Sequence, residues 1–138
     1  MQVAGYTPVL VSASQVVDRL DENWEKLGPV DMAAKAVSKM LASTAAADIG
    51  SYVDRVMVMR TFVDSVPERI KPLLAPFGYS TKFARSVATR AGLDHAAANY
   101  ATAGGQSPQQ YTARACRAIA SGEARAIVLC GAEAIGTM

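Results

Sequence analysis

The sequence is short of aromatic residues, of long apolar runs and of any excess of one charge, and it holds one histidine and two cysteines. Each shortage excludes something. The 14 basic and 12 acidic residues leave a formal net charge of +2 and form no run of like charge, so no nucleic-acid surface is expected. A membrane-crossing helix needs roughly 20 apolar residues, and every apolar stretch here is broken sooner by charge or glycine. The first apolar run is short and has no basic leader, unlike a signal peptide. A cytoplasmic protein with no membrane partner is the expectation. Cys116 and Cys130 fall inside predicted regular elements without metal-ligand spacing, which suits buried structural thiols rather than a disulfide. There is no G-x-x-x-x-G-K-[ST] loop, no G-x-G-x-x-G after the first strand, no H-E-x-x-H and no cysteine or histidine cluster. Neither a metal nor a resident cofactor is therefore expected. His95, just ahead of a strand, reads as a surface or hinge residue.

What is abundant is alanine, within a composition that is 51% hydrophobic and 19% charged. Such a chain of 138 residues can bury a core and is read as a single domain, 1–138. Small side chains let helices approach a sheet closely. Thr7 to Ala13 is an almost continuous apolar run, the pattern of a strand buried on both faces. Gln15 to Gly28 is polar and irregular and reads as a loop, with Trp24 as a lid over a core edge. From Asp31, a plausible N-cap, to about Ala47 the spacing is helical, with Met32, Ala36, Val37, Met40 and Leu41 on one face. Val53 to Arg60 reads as a second strand. Pro67, Pro72, Pro76 and Gly78 punctuate an irregular excursion over about 61–92, which leaves room for short helices near 67–75 and 80–91.

Ala96 to Ala103 reads as a strand of small residues, broken by Gly104-Gly105. Ser107-Pro108-Gln109-Gln110 then offers serine at the N-cap, proline at N1 and glutamine at N3, a capping-box start. The helix runs to about Ser121 and carries small residues over most of its circumference, so it is predicted to be buried between two layers. Ala126 to Gly131 is a final buried strand. The order of strands and helices predicts an α/β fold, a mostly parallel sheet with crossover helices and one buried small-residue helix. Chemistry is expected at Gly104, Gly105, Gln106 and Ser107. A glycine pair ending a strand lets the backbone turn closely past another group. The following helix aims its free N–H groups and dipole at that spot, which suits an anion or a developing oxyanion. A tight structural turn is the competing reading of the same residues.

The segment N-Y-A-T-A-G-G-Q-S-P-Q-Q-Y-T-A-R-A-C-R-A-I-A-S-G-E-A-R-A-I-V-L-C-G-A-E-A, residues 99–134, resembles the first active-site region of thiolases. The nearest branch is the acetyl-CoA acetyltransferase-like one, close to the sterol-carrier-protein-X type. Ile119-Ala120-Ser121-Gly122-Glu123-Ala124 and Gly131-Ala132-Glu133-Ala134 carry the likeness, and T-P-V-L-V-S-A-S-Q-V-V-D-R at 7–19 resembles the same branch. The resemblance implies a thiolase-like N-terminal half, acting on coenzyme A thioesters in lipid or sterol side-chain metabolism. Carried across residue by residue, the family's nucleophilic cysteine falls on Gly105, which has no side chain to acylate. Cys116 lies about three helical turns further on, and Cys130 at the far end of the next strand. The second half's histidine and C-x-G-like motifs do not occur before Met138. The resemblance therefore implies an acyl-CoA-directed protein without classical thiolase chemistry. The alternatives are a non-catalytic acyl-CoA-binding or subunit-pairing module, as a homo- or hetero-oligomer, and a small nucleotide-binding α/β domain.

Overall fold

A computed structural model describes residues 5–134. Its centre is the strand β1, Val53–Val58, which lies between β2 (Ala97–Tyr100) and β3 (Ala126–Cys130) in a parallel three-stranded sheet of order β2-β1-β3. Val56 aligns with Ala98 on one side and with Val128 on the other. A strand paired along both edges and covered on both faces reads as a continuous apolar run, and Val53, Val56, Met57 and Val58 are all buried.

The helices divide between the two faces. On one, α1 (Pro29–Ala42) and α3 (Phe83–Arg90) pack Val30, Ala33, Val37, Phe83, Val87 and Ala88 against Val56, Val58 and Val128. On the other, α4 (Ser107–Ala120) sets Tyr111 against Met57 and Ala101. The short helix α2 (Lys71–Leu74) and two 3₁₀ turns, Phe62–Ser65 and Glu68–Ile70, occupy the proline-punctuated excursion. The N-cap of helix α1 is Gly28, three residues before the expected Asp31, and Pro29 takes the first helical position. A side chain at 28 would press on the carbonyls of Phe77 and Gly78, at 2.8 and 3.0 Å from its Cβ. The buried stripe of α1 is Val30, Ala33, Ala34 and Val37, one step round from the expected face, and the helix ends where Ser43 and Thr44 hydroxyls take the Met40 and Leu41 carbonyls.

Two expectations are corrected. Thr7 to Ala13 forms no strand; it runs extended with Val9, Leu10 and Val11 exposed, Leu10 by 88%. Its neighbour is a helix rather than a strand: Ser12 and Ser14 hydroxyls bond the Met40 and Ala36 carbonyls of α1 at 3.2 and 2.6 Å. Without a ladder partner, an apolar run gains neither pairing nor cover. Helix α4, expected to be buried all round, is buried only along Ser107, Tyr111, Ala115 and Ala118, and its other side, Cys116 included, faces solvent. Gln15 to Gly28 is irregular as expected, organised by the Asp18 carboxylate, which accepts from the Glu25 and Leu27 amides at 3.0 and 2.8 Å. Trp24 meets Phe77 edge-on, with ring centroids 5.1 Å apart.

Asp54 of β1 ties down the entry to β3, accepting from the Arg125 amide at 2.8 Å and from its guanidinium at 2.6 Å. Those hydrogen bonds, the side-chain one first, hold the Asp54 carboxyl down at about 2, against an ordinary 3.8. A carboxyl depressed on folding stabilises the fold above the unfolded value, and the effect is lost as pH falls from about 4 towards about 2. Urea midpoints measured from pH 6 to pH 2.5 should therefore converge between the wild type and Asp54→Asn as the medium becomes acid. Parallel curves would show that the Arg125 pairing contributes nothing.

Candidate functional site

In open parallel sheets, ligands gather beyond the carboxyl ends of the strands. At that end lie the residues after Met59, after Tyr100 and after Cys130. Pairing runs one step past the ladder, through Met59 N to the Cys130 carbonyl and Ala101 N to the Val58 carbonyl, both 2.8 Å. The Gly104–Ser107 turn follows β2 after three intervening residues. Gly104 has φ +139°, a conformation side chains avoid, and a Cβ there would lie 2.5 Å from Gln106 Oε1, because the glutamine side chain folds back over the turn. Gly105 differs. It has no positive φ, and a Cβ on it would meet nothing within 4 Å. Position 105 thus faces open space, where a side chain would fit.

Helix α4 begins at Ser107, with Gln106 as its N-cap residue and no side-chain cap, so the expected capping box does not form. Ser107 is buried and turns inward, its hydroxyl donating to the Thr102 carbonyl at 2.6 Å while its amide bonds the Gly104 carbonyl at 3.0 Å. That clamp shapes the turn, and the serine is not presented to a ligand. The amides of Gly105 and Gln106 find no acceptor among the described residues. Of the four expected site residues, Gly105 and Gln106 therefore offer donors to the outside, and Gly104 and Ser107 build the bend.

A second polar group at the same end was not apparent from the sequence. Tyr100 donates its hydroxyl to Asp64 Oδ2 at 2.6 Å and accepts the Thr61 amide at 3.1 Å. Lys71, buried, bridges Asp64 at 3.3 Å and Glu68 at 2.5 Å. Burial first, then the Asp64 carboxylate, raises the Tyr100 phenol above its usual range. Nearby, Glu133 accepts the Phe62 amide at 2.8 Å, and burial pushes its carboxyl upward. Asp64, Glu68 and Lys71 sit among prolines with no periodic pattern, so nothing local marks them as one cluster. Their common feature is only that they follow β1. No hydrogen bond joins this cluster to the Gly104–Ser107 turn among the described residues.

His95 is exposed and precedes β2, at the opposite end of the sheet from the turn. Cys130 packs with the α1–α3 side of the sheet, away from α4, and burial raises its thiol to about 12. Cys116 is exposed on α4, contrary to the expected burial. No group of three or more histidine, cysteine or acidic side chains among the described residues could hold a metal ion. No described helix is long and apolar enough to cross a membrane. No protein family, curated protein or solved structure matches the chain.

The two thiols should react very differently. Brief treatment of the folded protein with iodoacetamide near pH 8 should alkylate Cys116 and spare Cys130, which labels only after denaturation. Equal labelling of both in the native state would contradict the packing of β3.

Proposed function

We propose that the chain is a thiolase-like, acyl-CoA-directed protein of the cytoplasm whose turn holds an acyl thioester without forming an acyl-enzyme. The observation that carries this is Gly105: it stands where the resemblance puts the nucleophile, it has no side chain, and it opens onto free space at the head of α4. The thioester carbonyl would lie against the Gly105 and Gln106 amides, with the positive end of the helix dipole behind them. Coenzyme A thioester is then substrate or ligand, and no resident cofactor is needed. Carbon–carbon cleavage without a covalent intermediate would require an acid and a base from another polypeptide or a further domain.

A non-catalytic, subunit-pairing role is the second reading, and one further observation favours it. Among the described residues the outer edge of β3 has no strand partner, and a cavity of about 320 Å³ lies between it and the segment at Leu10–Ser14. Unpaired edges beside exposed apolar residues commonly receive a strand from another chain.

Restoring the missing side chain tests the first reading. In Gly105→Cys the thiolate would attack the thioester carbonyl and release coenzyme A as its thiol. Intact-mass analysis after incubation with acetyl-CoA should find an acetyl adduct on residue 105 of the variant and none on the wild type. An adduct on Cys116 or Cys130 of the wild type, or an unmodified variant, would overturn the proposal.

A further inference from the structure

Helix α4 covers only part of its face of the sheet. Above β2 the sheet is left open, with Ala97 and Asn99 exposed. Between this open half and the flank of α4 lies a cavity of about 570 Å³, within the range of small-molecule sites. Met57, Ala97 and Ala118 line it with apolar surface, and three arginines line it too: Arg55 from β1, and Arg114 and Arg117 from α4. The two helix arginines are three residues apart and so share one flank.

These cations are poorly matched. The Arg55 side chain is only 31% exposed, yet its one side-chain acceptor among the described residues is Glu123 Oε2 at 3.4 Å. A guanidinium carries five N–H donors, and partial burial makes each unmet one costly. Arg114 rests over the Tyr111 ring, its Cζ 4.8 Å from the centroid, and has no hydrogen-bond acceptor among the described residues. Arg117 has no side-chain acceptor among the described residues. Glu123 is the one carboxylate lining the cavity, against three arginines. Arginine forks match phosphoryl oxygens two at a time, which ammonium groups cannot do.

We infer that this groove between β2 and α4 is a binding site for a diphosphate-bearing small molecule of nucleotide size, its phosphates held by Arg55, Arg114 and Arg117. The apolar floor at Met57 and Ala97 would take the uncharged remainder. The site lies along the flank of α4, apart from the Gly104–Ser107 turn, and does not depend on what that turn binds. The positive charge is concentrated in a concave site rather than spread over a flat face, which favours a small anion over an acidic protein.

The test is a titration of the full chain, at low ionic strength, with inorganic pyrophosphate and then ADP, followed by ¹H–¹⁵N spectra that include the arginine Nε–H signals. Saturable shifts are expected at Arg55, Arg114 and Arg117. Arg114→Ala and Arg117→Ala should each weaken binding about tenfold, the double variant should abolish saturation, and Arg117→Lys should recover only part of the loss. Both helix arginines are exposed, so circular dichroism should show these variants folded. Arg69→Ala, elsewhere on the surface, should bind as the wild type does. Shifts that never saturate, equal binding by sulfate, or undiminished binding by the double variant would overturn the proposal. Saturation by a polyglutamate peptide as readily as by pyrophosphate would overturn it in favour of an acidic polypeptide partner.

Discussion

Everything described here hangs on β1. Among the described residues it is the one strand paired on both edges, and its side chains enter both cores: Val56 and Val58 towards α1 and α3, Met57 towards α4. Losing it would leave β2 and β3 without a common partner and both helical layers without a surface. The need to bury side chains on both faces is what makes the second half of the strand, Val56–Val58, wholly apolar, while Asp54 and Arg55 occupy its half-buried first half. The same constraint positions function, because parallel strands share one carboxyl end, and the chain leaves all three there.

What leaves that end is polar and tightly turned. After β2 comes a glycine bend clamped by Ser107 on Thr102; after β1 comes the Asp64–Lys71–Tyr100 cluster; after β3 comes Glu133 on Phe62. The two outer strands are less protected than the centre. Beyond β3 there is a cavity and an extended apolar segment, and beside α4 the β2 half of the sheet lies open under three arginines. The first is the place proposed for a strand of another chain and the second the place proposed for an anion.

Much of this was legible in the residues. β1, β3 and the α4 segment announce themselves by apolar runs, by Pro108 near a helix start and by glycines at the breaks, and the parallel α/β arrangement follows from their order. Thr7 to Ala13 misleads because an apolar run reports the capacity to be buried, while pairing depends on which element lies alongside. For α4 the difficulty is alanine: it is as frequent on the exposed side as on the buried one, so the pattern lacks the contrast that marks a face. The capping box failed by one residue, since Ser107 is used to brace the bend and not to cap the helix. The cluster around Asp64 joins residues from 61 to 100 that only the fold brings together. The three-arginine groove was equally hidden, because Arg55 sits far in sequence from Arg114 and Arg117.

The central claim is that the free amides at the head of α4 receive a thioester carbonyl. It is tested most directly by titrating the ¹⁵N-labelled chain with a non-hydrolysable thioether analogue of acetyl-CoA. The account predicts that the Gly105 and Gln106 amides move furthest and move together, as both acquire an acceptor that no described residue supplies. Saturable binding with those two amides unmoved would contradict it.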